Sequence, residues 1–302
     1  MEVFRMLFFQ VVLPVMLIFL TGYVFQKWKK VSLLPISSLI IYILVPALIF
    51  RTLYNSELSA DHIVLVVFAV IYLLIYIGIN KIYSRFRGLD SDTESGLILS
   101  TAFMNAGNYG VPIVLFAFGP EGFAYAVIYM VVQSFIMTTA GVYYAAKGGT
   151  GVRTAVATVF KMPATYAVFI VGVVNWSGIT VPEPVFNFID LIADAAIPVT
   201  MIMLGMQLAE IRLDRLEWGY ISYGVIIRLI LSPFIAWGLT EILPMSLLMQ
   251  QVLIIASSMP AAVTTAIYAM QFNTRVQLVS SITLITTILS VISVTVLLFV
   301  IL

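Results

Sequence analysis

Two short stretches of the chain carry residue types that could hold a small polar ligand. The first is Asn105-Ala-Gly107-Asn108-Tyr-Gly110-Val-Pro112. Two glycines and a proline weaken the helical ladder there, and two asparagines offer hydrogen bonds in its place. The second is Ser257-Ser258-Met259-Pro260-Ala-Ala-Val-Thr264-Thr265, where hydroxyls flank a proline. Each lies within an apolar run and reads as a helix broken at mid-membrane depth. Where such a helix restarts, its first free N–H groups and its dipole favour an anion without a dedicated basic residue. The chemistry that follows is binding of a small organic anion, a carboxylate above all. Asn105, Asn108, Ser258, Thr264 and Thr265 would supply the hydrogen bonds, with Gly107, Pro112 and Pro260 shaping the site. Against this stand two plainer roles: asparagines that only repair the broken ladder, and hydroxyls that bond back to their own helix.

Ionisable groups inside apolar runs are the second source of chemistry. Asp190 and Asp194 lie one helical turn apart, and an ionised carboxylate inside a membrane is costly unless it faces a partner or water. Burial would raise their pKa and suit them to carry a proton or cation, with a scaffold or dimer-contact role as the alternative. Arg228 could attract the anion or pair with an aspartate. Gln133 could contribute to a cation site or make an interhelical hydrogen bond.

The elements that must position these residues are membrane helices. Of 302 residues 62% are hydrophobic and 10% charged, against roughly 45–50% and about 25% in soluble domains. Apolar segments recur at 4–25, 33–54, 62–83, 95–118, 121–146, 155–175, 184–208, 218–240, 246–271 and 276–301, each about the 20 residues a span needs. The fold expected is an all-α polytopic membrane protein of ten transmembrane helices. The N-terminal run lacks a small-x-small cleavage site and reads as a retained first span. A net charge of +1 without a basic run excludes nucleic-acid binding. No Cys and a single His exclude disulfides, thiolate catalysis and the usual zinc sites. No phosphate-binding loop of the Gly-x-x-x-x-Gly-Lys type occurs, so an ATP-driven pump would need another subunit. No cofactor is expected beyond a coupling H+ or Na+.

Positive charge is lopsided. Lys27, Lys29, Lys30, Lys81, Arg85, Arg87, Lys147, Arg153, Lys161, Arg212, Arg215 and Arg275 fall on one side of the alternating loops, and only Arg5 and Arg51 on the other. The positive-inside rule then puts both termini outside the cytoplasmic membrane. Trp28, Trp176, Trp218 and Trp237 fall near predicted span ends, where indoles prefer the headgroup layer. Pro14, Pro46 and Pro112 are spaced by 32 and 66 residues, and Pro163, Pro198 and Thr265 by 35 and 67. Leu13-Pro14 matches Met162-Pro163, and Val45-Pro46 matches Ile197-Pro198. Five-helix units at 1–147 and 148–302 would enter from opposite faces, an inverted repeat of the kind secondary transporters use.

With Val45-Pro46-Ala-Leu-Ile-Phe50, Asn105-x-Gly107-x-x-Gly110-x-Pro112, Pro198 with Leu204-Gly205, Arg228-Leu229-x-x-x-Pro233 and Met259-Pro260-Ala-Ala-Val in this order, the chain resembles the auxin efflux carrier family over essentially its whole length. The resemblance implies a fold also similar to bile-acid sodium symporters, with helices 1, 2, 6 and 7 as a scaffold. Helices 3–5 and 8–10 would form a transport domain, with substrate beside the crossing of broken helices 4 and 9. It further implies a homodimer through the scaffold and elevator-like alternating access, and it favours a structural pairing for Arg228. Many relatives have Asn four residues after the helix 9 proline, where this chain has Thr264. The plant members also carry a long polar loop between the halves, whereas Lys147 to Lys161 is short, which argues against auxin.

The reading favoured is a secondary carrier, not an enzyme, moving a small organic anion. A sodium or proton antiporter is the main alternative, although its two aspartates lie away from the expected crossing. A receptor without transport would bind ligand but show no flux. An intramembrane aspartyl protease would need its aspartates on facing helices, and here both share one.

Overall fold

A computed structural model describes residues 2–56, 60–146, 163–211 and 216–302, apart from the side chains of residues 60 and 61. The described residues are helical throughout, joined by short turns. In chain order the helices are α1 (Glu2–Lys29), α2 (Leu33–Asn55), α3 (Ala60–Arg87), α4 (Ser91–Thr101), α5 (Ala106–Ala145), α6 (Pro163–Ser177), α7 (Glu183–Glu210), α8 (Trp218–Ile242), α9 (Leu247–Ser257), α10 (Val263–Phe272) and α11 (Val276–Ile301). Seven of them are long and apolar enough to cross a membrane, and α6 and α9 are shorter apolar helices. Lys147, Arg153, Lys161, Arg212 and Arg215, the expected boundary at 147/148 and the start of the segment predicted at 155–175 lie outside the described residues.

Prolines dictate much of the local geometry. A helix interior proline donates no N–H, and its ring collides with the carbonyl four residues before it. Pro14, Pro46, Pro112 and Pro233 are each preceded by a π-turn ending two residues earlier, at Phe8–Val12, Ile40–Leu44, Ala106–Gly110 and Ile226–Leu231. The wider turn displaces the obstructing carbonyl and lets the helix continue. Helix α5 spans 40 residues but bends at Gly119, whose φ of 65° suits glycine, immediately before Pro120. The four tryptophans are all well exposed, with Trp28, Trp176 and Trp218 at helix ends.

Two packing groups emerge. Helices α1, α2, α6 and α7 pack on one another, while α3, α4, α8, α9, α10 and α11 gather with α5. The tightest seam is α1 against α7. A Cβ on Gly22 would lie 2.0 Å from the carbonyl oxygen of Ile202, and one on Gly205 would lie 1.9 Å from that of Phe19. The backbones therefore touch, and no larger residue fits at either place.

Candidate functional site

Helix α4 stops at Thr101 and α5 starts at Ala106, while α9 stops at Ser257 and α10 starts at Val263. The two gaps run past each other as an antiparallel bridge with Met104 opposite Ala261. The Asn105 N–H donates to the Pro260 carbonyl at 2.9 Å, and the Ala262 N–H to the Phe103 carbonyl at 3.1 Å. The Ala261 N–H reaches Thr286 Oγ1 at 3.2 Å. Unwound backbone in an apolar interior has to find partners, and these two breaks supply them to each other. Gly110 allows the close approach, since a Cβ there would sit 3.2 Å from Met259 Cγ.

A single guanidinium holds the two helix ends that lead into the crossing. Arg228, fully buried on α8, donates from Nη1 to the Thr101 carbonyl at 2.7 Å and from Nε to the Met259 carbonyl at 3.0 Å. Its Nη2 donates to the Ser257 carbonyl, to Ser232 Oγ at 2.6 Å and to the Tyr72 hydroxyl at 3.1 Å. Thr101 and Ser257 end their helices, where carbonyls lack intrahelical donors and the dipole is negative. A five-donor planar cation meets that need. Among the described residues its bonds go to carbonyls and hydroxyls and none goes to an aspartate, so Arg228 acts here as a structural clamp on the two helix ends.

The predicted ligand-binding residues separate by what their side chains have left to give. Ser258 Oγ donates to the Ile254 carbonyl at 2.6 Å and Thr265 Oγ1 to the Ala262 carbonyl at 2.8 Å, so both hydroxyl protons are used within their own segment. Ser257 Oγ bonds the Tyr129 hydroxyl at 2.7 Å. Gln133, buried on α5, interacts with the hydroxyl of Tyr129 four residues earlier on the same helix, a contact within one helix and not between two. Pro112 and Pro260 are buried within the crossing, and Gly107 abuts Met130. Three polar side chains keep capacity. Asn105 is only 6% exposed, yet its Nδ2 has no hydrogen-bond partner among the described residues. Asn108 and Thr264 are half-buried and make no side-chain hydrogen bond among the described residues. The first turns of α5 and α10 begin beside them.

Asp190 and Asp194 are placed elsewhere. Both accept from Nη1 of Arg51 on α2, at 3.0 Å and 2.5 Å. Their side chains are 45% and 67% exposed, so neither carboxylate is buried in the helix packing. Arg51 and Asp194 line a cavity of about 740 Å³ with Glu121, Thr52, Asn55 and Pro198, and none of the crossing residues reaches it. Sequence reasoning set Arg51 aside as a loop charge. The signal was available, because Arg51 is the only charged residue in the segment predicted at 33–54 and two nearby carboxylates needed a cation.

Comparison with known proteins agrees with this architecture. The membrane transport protein family matches residues 7–157 and 152–298. An uncharacterized transporter of Methanothermobacter thermautotrophicus is 32% identical over 94% of this chain and 95% of its own length. The uncharacterized transporter MJ1031 of Methanocaldococcus jannaschii is 27% identical over 92% and 93%. A candidate malonate transporter of Rhizobium meliloti is 27% identical over 88% and 86%. With nearly the whole chain matched and a multi-pass helical fold around paired helix breaks, the protein belongs to the membrane transport protein family, the auxin efflux carrier-like transporters.

Proposed function

We propose that the protein is a secondary carrier that moves a small organic anion, a mono- or dicarboxylate, through a site at the crossing of the two broken helices. The observation that carries this reading is Asn105 Nδ2: a buried amide donor without a partner among the described residues, fixed by a backbone that is itself fully bonded. An orphan donor in an apolar interior costs about 1–3 kcal/mol, and an acceptor-only carboxylate removes that cost on arrival. The helix starts at Ala106 and Val263 add their dipoles, and Asn108 and Thr264 add further hydrogen bonds. The relative named for malonate makes dicarboxylates the first group to try.

In this reading, α5 counts as two spans about Gly119, and the α4 and α9 breaks each lie inside one span. The chain then has ten spans in two inverted five-helix units, 1–147 and 148–302, with both termini outside the cytoplasmic membrane. Helices α1, α2, α6 and α7 serve as the scaffold of a homodimer, and the remaining group moves against it as an elevator. The division into two packing groups supports that assignment. Exchange of cations through Asp190 and Asp194 is less favoured, because Arg51 already engages both carboxylates.

The test is uptake of radiolabelled malonate, succinate and lactate into liposomes containing the purified protein, with Asn105→Ala in parallel. Saturable uptake whose affinity Asn105→Ala lowers about ten-fold or more upholds the proposal. Saturable binding without flux would instead indicate a receptor, and uptake indifferent to Asn105→Ala would move the site away from the crossing.

A further inference from the structure

A second built site lies far from the crossing, where α1 ends, α2 begins and α7 ends. Gln26, Lys27, Lys30, Val31, Ser32, Leu33, Ala209, Glu210 and Ile211 enclose a crevice of about 580 Å³, within the size range of small-molecule pockets. Its floor is Gln26, only 3% exposed. The Gln26 Nε2 donates to the Val31 carbonyl at 2.9 Å and to Glu210 Oε1 at 2.7 Å, which fixes the amide orientation. Its Oε1 is then left buried and without a partner among the described residues. Two cations stand over it. Lys27 Nζ caps the Ala209 carbonyl at 2.9 Å with two of its three donors to spare. Lys30 closes α1 in a left-handed conformation, φ 49° and ψ 51°, and its ammonium has no partner among the described residues.

The crevice thus presents spare cationic donors and, in the same lining, an acceptor that lacks a donor among the described residues. A simple anion would satisfy the lysines and leave Gln26 Oε1 orphaned. A ligand that carries both a phosphate and an N–H or O–H donor satisfies both. The surroundings indicate where such a group comes from. Three apolar helices end around the crevice, and Trp28 beside it is 73% exposed, with Lys29 Nζ 3.8 Å from its ring centroid. Exposed indoles and lysines at helix ends belong to the headgroup layer. The flanking faces carry exposed Val24, Phe25 and Leu34, which suit acyl chains.

We infer that this crevice is a specific site for a membrane phospholipid whose phosphodiester headgroup bears a hydrogen-bond donor, as phosphatidylethanolamine or phosphatidylglycerol does. Lys27 and Lys30 take the phosphate, and Gln26 Oε1 takes the ammonium or hydroxyl.

The experiment is native mass spectrometry of the detergent-purified protein titrated with phosphatidylethanolamine, its N-methyl and N,N-dimethyl derivatives, and phosphatidylcholine of identical acyl chains. Affinity should persist through the dimethyl lipid, which keeps one N–H, and fall at phosphatidylcholine, which has none. Lys30→Gln, a change at an exposed side chain, should weaken phosphatidylethanolamine binding roughly five-fold while leaving the melting temperature of the lipid-free protein unchanged. Equal affinity for phosphatidylethanolamine and phosphatidylcholine, or unaltered binding by Lys30→Gln, overturns the inference. Soluble phosphoethanolamine binding as tightly as the lipid would overturn the lipid assignment in favour of a free phosphate compound.

Discussion

The Arg228 guanidinium lies 2.7 Å from the carbonyl of Thr101, the last residue of α4, while the same group also binds the carbonyl that ends α9. One side chain therefore joins the two helix ends that the sequence separates by more than half the chain. Removing it would leave three carbonyls, those of Thr101, Ser257 and Met259, without this donor in an apolar interior. Arg228→Met should cost about 3–5 kcal/mol, read as a large drop in melting temperature. Arg228→Lys should recover only part of it, because an ammonium cannot span three divergent acceptors with the guanidinium's fork.

Asn105→Ala should behave in the opposite way. Its backbone N–H holds the bridge to Pro260 whatever the side chain, and the Nδ2 it removes bonds nothing among the described residues. Stability should be unchanged or slightly higher, while carboxylate affinity falls about ten-fold or more, a loss of about 1.4 kcal/mol. Calorimetric titration alongside a melting curve separates the two effects.

The α1–α7 seam should tolerate no added side chain. Gly22→Val or Gly205→Val must push two backbones apart, since even a Cβ would lie about half a normal contact distance from a carbonyl oxygen. Overpacking of this kind costs about 1–3 kcal/mol or more, and detergent-solubilised yield together with melting temperature would register it. Gly172, where a Cβ meets nothing within 4 Å, is the control site.

The Arg51 pair should matter little to stability taken one aspartate at a time. Asp190 and Asp194 are both substantially exposed and share one nitrogen, so either can stand in for the other. Asp194→Asn should cost at most about 1 kcal/mol, and whatever dependence on sodium or pH carboxylate uptake has in the unaltered protein should be the same in the variant. A loss of that dependence would point to cation coupling through α7.

Acid should loosen α4 at its start. Asp90, in the turn between α3 and α4, accepts the Thr93 N–H at 2.7 Å through Oδ1. That backbone bond above all holds its carboxyl below the ordinary aspartate value. A lowered carboxyl pKa means stability that is present above the unfolded value and lost as pH falls through the folded one, so the contribution fades only in strong acid. Asp90→Asn keeps a capping oxygen and should remove this acid limb from the melting temperature against pH profile. Asp90→Ala should cost about 1 kcal/mol at neutral pH.

The breaks were legible in the sequence because Gly, Pro and Asn act locally. Pro112 and Pro260 each lack a backbone N–H, so a weakened ladder near each follows from covalent structure, and the neighbouring Gly and Asn mark where it gives way. That residues 103–105 and 260–262 bond to each other was suggested only by their matching depth. The role of Arg228 was not legible, since its partners are main-chain carbonyls on two other helices and a carbonyl has no residue type. The hydroxyls of Ser258 and Thr265 stayed open to two readings for a related reason: composition shows that a donor exists but not that the carbonyl three or four residues earlier has taken it. The aspartates were read as buried because their neighbours in sequence are apolar, whereas both side chains are exposed on α7 and Asp194 lines an open cavity.

Phe19 sits where two kinds of contact meet. Its carbonyl backs onto Gly205 of α7 with no side chain between, and its ring meets Tyr109 of α5 edge to face at 5.1 Å. The first contact works like a key in a slot: displacing α7 along α1 by one residue would drive a side chain into a carbonyl, so the pair keeps its register or separates altogether. The second is a smooth bearing, one aromatic edge against another face, with no hydrogen bond to break when it slides. Any shear between the two helix groups would therefore be confined to the α5 side of Phe19, while the α7 side stays locked.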